Sequence, residues 1–225
     1  MEKFKTLFLS HLLTEDTPTY GNRDRFVNQL NSSFEKGDKA ETSNWYFSNN
    51  HFGTHIDAPG HFVPKGKSIS DYVPAFWVFS KVVLIELEIS DAVLIDVADI
   101  KPYSIAKDTE LLLIKTGYEA HRGSEKYWNE NPGLAPELGK YLRQTFPNLR
   151  AIGLDFISVT SFQHRPVGRD AHLALLDGQN PVLPIEDMSF VGLNPEMHIK
   201  EVVVAPLRVI HANGAPVTAI AKICL

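Results

Sequence analysis

The stretch that decides the fold is "NNHFGTHIDAPGHF", Asn49 to Phe62. It places His51, His55, Asp57 and His61 within eleven residues, punctuated by Gly53, Pro59 and Gly60. The four-residue step from His51 to His55 would put both imidazoles on one face of a helix, as in the H-E-x-x-H zinc motif. Gly53, the β-branched Thr54 and Ile56, and Pro59 oppose a helix and favour extended or looped chain. In an extended strand residues 51, 53, 55 and 57 share a face. That reading sets His51, His55 and Asp57 side by side, with Gly53 between them leaving space for a bound ion. It also makes the segment part of a sheet.

Working outward, strand-like runs of β-branched and aliphatic residues occur at "KTLFLS" (5–10), "SNWYFS" (43–48) and "KVVLIELEI" (81–89). Others are "ELLLIKT" (110–116), "LRAIGLD" (149–155), "KEVVVAPL" (200–207) and "PVTAIAKICL" (216–225). Glu86 and Glu88 alternate with Leu87 and Ile89, marking a strand with one wet face, whereas "LLLI" at 111–114 is apolar throughout and reads as central. Helical periodicity is clearest in "PGLAPELGKYLRQTF" (132–146), where Leu134, Leu138, Leu142 and Phe146 recur and Pro147 follows as a stop. A shorter helix fits "RDAHLALLDG" (169–178), with Asp170 as a candidate cap and Gly178 beyond its end. Strands interleaved with few helices predict an α/β or α+β domain with a mixed sheet.

The 225 residues suffice for one domain, 1–225, and there are no repeats, low-complexity tracts or linkers to divide it. Hydrophobic residues at 44% and charged residues at 22% exclude a disordered chain or a coiled coil. A net charge of −5, without a dense basic run, gives no footprint for a nucleic-acid backbone. The single cysteine, Cys224, rules out an internal disulfide and a cysteine zinc site, and it reads as a buried strand residue. The N-terminal "MEKFKTLFLSHLL" mimics a signal peptide, but Ser10 and His11 interrupt it and no small-residue cleavage site follows, so it reads as a first strand. With no apolar run near the roughly 18 to 20 residues of a membrane helix, a cytoplasmic location is expected.

Imidazole and carboxylate ligands suit Zn, Mn or Fe(II), and three of them leave positions open for water, as a catalytic site requires. His61, past the Pro59-Gly60 turn, can return to the metal as a further ligand or serve in proton transfer. Isolated histidines such as His11, His121, His164, His198 and His211 read as surface or core residues. Phe52, Phe62, Trp45, Tyr46, Phe76 and Trp77 would suit an aromatic substrate, although core packing accounts for most of them.

"HFGTHIDAPGH" (51–61) resembles the H-x-G-T-H-x-D-x-P-x-H signature of the cyclase family of metal-dependent hydrolases, which includes bacterial kynurenine formamidase and isatin hydrolase. The likeness extends through "LSHLLTEDTPTYG" (9–21), "LLLIKTGYE" (111–119), "AIGLDFISV" (151–159), "AHLALL" (171–176) and "PIEDM" (184–188). It implies a swivelling β/β/α domain assembled as a homodimer or homotetramer. It further implies that His51, His55 and Asp57 hold one divalent metal, zinc or manganese; in the two-metal members His172 and Glu186 complete a second site with Asp57 as bridge, whereas a single manganese suffices in the isatin hydrolase branch. His61 would be the general acid/base. Glu186 lies further from His172 than in the formamidase pattern, which leaves Asp187 as a rival ligand, and "TPTYGNRDRF" (17–26) departs from the formamidase turn.

The implied activity is hydrolysis of an amide-type bond, a formamide or lactam, in a small molecule by a metal-activated water. Thr54 and Asp155 are candidates for orienting the ligands or for local caps. One rival reading is a non-haem Fe(II) oxygenase built on His55, Asp57 and a distant histidine such as His211. Another is a non-catalytic metal-binding domain.

Overall fold

A computed structural model describes residues 3–225. In chain order the strands are β1 (Phe4–Phe8), β2 (Phe26–Ser32), β3 (Thr42–Phe47), β4 (His55–Asp57), β5 (Val78–Phe79), β6 (Val82–Glu86) and β7 (Leu94–Ile95). They continue with β8 (Leu111–Lys115), β9 (Gly133–Leu134), β10 (Ala151–Leu154), β11 (Leu183–Glu186), β12 (Ile199–Pro206) and β13 (Gly214–Cys224). Four α-helices accompany them: α1 (Val97–Ile100), α2 (Lys126–Asn129), α3 (Pro136–Thr145) and α4 (Arg165–Leu176).

The main sheet runs β5-β12-β13-β4-β11-β10-β8-β6, with β1 also on β13. Strands β6, β8, β10 and β11 are parallel, whereas β4 is antiparallel to both β11 and β13. Long β13 pairs with β4 through residues 214–216 and with β1 through 220–224, so β1 and β4 lie end to end along one of its sides. The two ends of the path, β5 and β6, are separated in sequence by Ser80 and Lys81 alone. The sheet must therefore curl until its ends approach. This is the mixed-sheet, helix-poor swivelling β/β/α fold that the sequence implies.

Burial follows the patterning. Leu111, Leu112, Leu113 and Ile114 are fully buried between β6 and β10, and one apolar cluster extends from Leu9 to Ile223. Helices α3 and α4 pack closely because Gly139 faces Ala174, while Leu138 and Leu142 turn inward.

Several expectations need correction. Helix α4 starts at Arg165 with Pro166 in its first turn, where a proline costs no hydrogen bond, so Asp170 lies inside the helix and caps nothing. Gly178, at φ +105°, does lie just past its end. Of residues 51–57, regular strand covers 55–57, because Gly53 at φ +60° turns the chain. "KVVLIELEI" stops being strand at Glu86, although Leu87 remains buried. Cys224 lies in β13 as expected but is half-buried. Among the described residues no helix is long and apolar enough to cross a membrane.

Candidate metal centre

Strand β4 delivers His55 and Asp57 to one face, two residues apart. The ladder then chooses their neighbours, setting His55 opposite Glu186 and Asp57 opposite Gly214. His172 enters from α4, His51 from the loop before β4, and His61 from a single 3-10 turn, Pro59–His61. His55 Nε2 is 3.3 Å from Glu186 Oε2 and 3.6 Å from Asp57 Oδ1. His172 Nε2 is 3.5 Å from Asp57 Oδ2 and 3.4 Å from Glu186 Oε1. Each of these two imidazole nitrogens thus lies within 3.6 Å of an oxygen from both carboxylates. Two sets of three donors converge, His51/Asp57/His61 and Asp57/His172/Glu186, with Asp57 common to both.

The hydrogen bonds prepare the imidazoles as ligands. His55 Nδ1 donates to the Gly53 carbonyl and His172 Nδ1 to the Gly168 carbonyl, both at 2.8 Å, which aims each Nε2 at the carboxylates. Asn50 Nδ2 donates to Asn213 Oδ1 at 2.8 Å, so that oxygen accepts from His51 Nε2 at 3.1 Å. His51 Nδ1 is then left 2.7 Å from Asp57 Oδ1. Two acceptors that close require a proton or a cation between them. Glu186 Oε1 accepts from Val159 N at 2.7 Å and Ser158 Oγ at 3.2 Å, which fixes its carboxylate. A nitrogen and oxygen donor set of this kind, without thiolate, fits a divalent ion.

Charge balance supports the same conclusion. Burial alone would lower the pKa of His55 and His172, but hydrogen bonds and the charges of Glu186 and Asp57 outweigh it, raising them to about 9 and about 10. Burial would likewise raise the carboxyls, yet the histidines hold Glu186 down to about 2 and Asp57 well below the usual range. His61, half-buried without a direct carboxylate partner, is lowered to about 4 by its partial desolvation. Its ring stacks on His51 with centroids 3.8 Å apart.

A cavity of about 390 Å³ opens over the cluster, and Tyr20, Arg23, Phe62, Ile157 and Thr160 contribute to its walls. All six residues expected from the sequence, His51, His55, Asp57, His61, His172 and Glu186, line it. Asp187 does not join them: its carboxylate is held by Arg122 and Tyr127. Asp155 orients no histidine; it accepts from the backbone N–H groups of Thr116 and Gly117 and from Thr116 Oγ1. Thr54 hydrogen-bonds backbone, donating to the Asp187 carbonyl. His211 is exposed and lines a different groove, which removes it from any triad with His55 and Asp57. Of the aromatic residues, Phe62 lines the cavity and stacks on His172, with centroids 4.3 Å apart, while Phe52 and Trp77 are core and Trp45 and Tyr46 are exposed.

Sequence reading missed Asn50, Asn213, Gly214, Ser158 and Gly168. A Cβ on Gly214 would lie 2.3 Å from His51 Cε1, so this glycine makes room for the imidazole. The reason assigned to Gly53 also changes. A Cβ there would meet Leu13 Cδ2 at 2.4 Å, so it clears space for Leu13 and supplies the left-handed turn. The Asn-Gly pair 213–214 carried a turn signal, but nothing in it named His51 as neighbour.

With fold and site defined, comparison places the chain among known proteins. The Cyclase family model, described as "Putative cyclase", matches residues 7–161, and the chain belongs to this family. An uncharacterized protein of Haemophilus influenzae is 37% identical over 110 residues, 48% of this chain and 78% of the relative. A kynurenine formamidase of Bacillus cytotoxicus is 27% identical over 172 residues, 76% of each chain. The structure of isatin hydrolase A from Labrenzia aggregata, bound to benzyl benzoate, has a TM-score of 0.80 at 22% identity, covering 99% of this chain and 94% of that one. The last likeness establishes a shared fold.

Proposed function

We propose that this protein is a metal-dependent hydrolase that cleaves an amide-type bond, a formamide or lactam, in a small molecule. The observation that carries the reading is the convergence of His55 Nε2, His172 Nε2 and the carboxylates of Asp57 and Glu186 beneath a cavity. Family membership and the kynurenine formamidase relative support it. His51, His55, Asp57, His172 and Glu186 would hold one or two ions of zinc or manganese. When bound, such an ion supplies a hydroxide at neutral pH and polarises a carbonyl.

The chain's own groups do the rest. His61 is neutral at pH 7 because burial depresses its pKa to about 4. It can therefore take a proton and pass it to the leaving nitrogen. Phe62, stacked on His172, supplies an apolar wall suited to an aromatic substrate.

The deciding experiment is metal content per chain, in wild type and Glu186→Ala, with formamides and lactams assayed as substrates. Two equivalents falling to one would support a binuclear centre. One equivalent unchanged by the substitution would remove Glu186 from it. Metal binding without turnover of either substrate class would favour a non-catalytic domain.

A homodimer or homotetramer belongs to the same proposal. Val27, Leu30, Phe34, Trp45 and Tyr46 are exposed on or beside the β2–β3 hairpin, and a lone two-stranded hairpin is marginal in water. Light scattering during gel filtration tests the assembly. The net charge of −5 argues against nucleic acid as a partner.

A further inference from the structure

The ladder between β4 and β11 ends at the pair His55–Glu186. The next rung would join Thr54 to Asp187, but Asp187 lies at φ +53°, in the left-handed region where Asp is one of the few tolerated side chains. Its N–H leaves the ladder and donates to the Phe156 carbonyl at 2.9 Å. A side chain replaces the lost rung: Thr54 Oγ1 donates to the Asp187 carbonyl and accepts from His11 N at 2.9 Å. Each of the two bonded residues is thus one peptide unit from a candidate ligand.

The turn out of the ladder is held from the opposite face. Glu186 closes β11 and lines the cavity, whereas the left-handed turn at Asp187 carries its carboxylate away from it. There Arg122 Nε and Nη2 each donate to its carboxylate at 2.8 Å, and Tyr127 Oη donates at 2.6 Å. Asp187 and Tyr127 are buried, and a two-pronged, charge-assisted pair of this kind fixes orientation as well as distance. Arg122, Tyr127 and Asp187 do not line the cavity, so they have no path to substrate.

We propose that the Arg122–Asp187 pair, acting through Thr54, positions His55 and Glu186 and so sets the affinity of the centre for a divalent cation. The inference rests on the metal-centre reading given under the proposed function. Arg122, Asp187 and Thr54 are positioning residues in this scheme. They fix where two adjoining strands present their ligands.

The test is calorimetric titration of Mn²⁺ alone, and Zn²⁺ alone, into the metal-stripped full chain. Thr54→Val keeps the shape and loses the hydroxyl, and Thr54→Ser restores it. The double variant Arg122→Gln/Asp187→Asn retains hydrogen-bonding groups without leaving a buried charge unpaired. Circular dichroism confirms that each variant is folded. Thr54→Val and the double variant should bind about 10- to 100-fold more weakly, with Thr54→Ser near wild type. Wild-type affinity in folded Thr54→Val and in the folded double variant, even with a lowered Tm, would overturn the proposal, while weakened binding by Glu186→Gln in the same series would leave the metal centre standing. Absence of binding by the wild type would overturn both.

Discussion

Gly214 shows how much of this site depends on what is missing from a side chain. Its backbone needs no positive φ, so alanine fits the strand, yet a Cβ would press into the His51 ring at 2.3 Å. Gly214→Ala should therefore keep the fold and weaken metal binding by about 10- to 100-fold, the usual effect of displacing an orienting contact. Metal titration alongside circular dichroism checks this, and unchanged affinity would remove His51 from the ligand set. Gly53→Ala should lower stability, because a left-handed backbone costs an L-residue about 1 to 2 kcal/mol and Leu13 must move as well, and it should also weaken metal binding, since the Gly53 carbonyl holds His55 Nδ1. Urea unfolding measures the loss of stability. His61 poses the sharpest question at this scale. Its donor atoms lie within reach of His51 and Asp57, so geometry admits it as ligand or as proton carrier. His61→Ala should lower kcat by about 10² to 10⁴ with metal retained. Metal lost in that variant would make His61 a ligand.

At the scale of elements, α4 carries His172 to the cluster, and its fit to the chain around Thr160 controls that delivery. Alanine at Gly168 would raise helix propensity by about 1 kcal/mol. Its Cβ, however, would lie 2.2 Å from Thr160 Oγ1 and 2.3 Å from Thr160 Cγ2, well inside contact distance. The clash outweighs the propensity gain, and the helix must shift. Gly168→Ala should therefore lower Tm and also weaken metal binding, since the Gly168 carbonyl holds His172 Nδ1. A higher Tm with intact metal binding would show the contact to be soft. This element also marks the limit of what could be read in advance. Histidines 51, 55 and 61 and Asp57 are close in sequence, so spacing exposed them, and β-branched runs located most of the long strands. Strand β11 was hidden because Pro184 argues against a ladder residue, and β2 because "FVNQLNS" carries two asparagines. The choice of Glu186 over Asp187 depended on where β11 ends, since Glu186 closes the strand at the cavity and Asp187 turns out of it. Asn213 and Gly214 arrive from the far end of the chain, and no local pattern announces such a pairing.

For the whole molecule, the cluster ties stability to pH and to metal in opposite directions. In protein stripped of metal, His55 and His172 titrate at about 9 and about 10 in place of 6.5, because the buried carboxylates of Asp57 and Glu186 favour their charged forms. A raised histidine contributes its full stability below pH 6.5 and loses it as pH climbs through the folded value. Glu186, lowered from 4.5 to about 2, contributes fully above pH 4.5 and loses that contribution as pH falls toward 2. His61, lowered from 6.5 to about 4, costs stability as pH falls below 6.5, so the metal-stripped chain should be most stable near pH 6.5, with Tm declining steadily from there to pH 10. Metal reverses the upper limb, since an imidazole must give up its proton before it can bind a cation. At pH 7.5, His55 and His172 are charged in the stripped protein, so binding should release a proton from each, and affinity should rise with pH up to about 10. Calorimetry at pH 7.5 in buffers of different ionisation enthalpy counts those protons directly. A count that falls by one in His55→Gln and by one in His172→Gln would identify each imidazole as a ligand that exchanges a proton for the ion. Binding without proton release would show that His55 and His172 either bind no metal or are already neutral, and the ion-paired cluster would then be the wrong description of the empty centre.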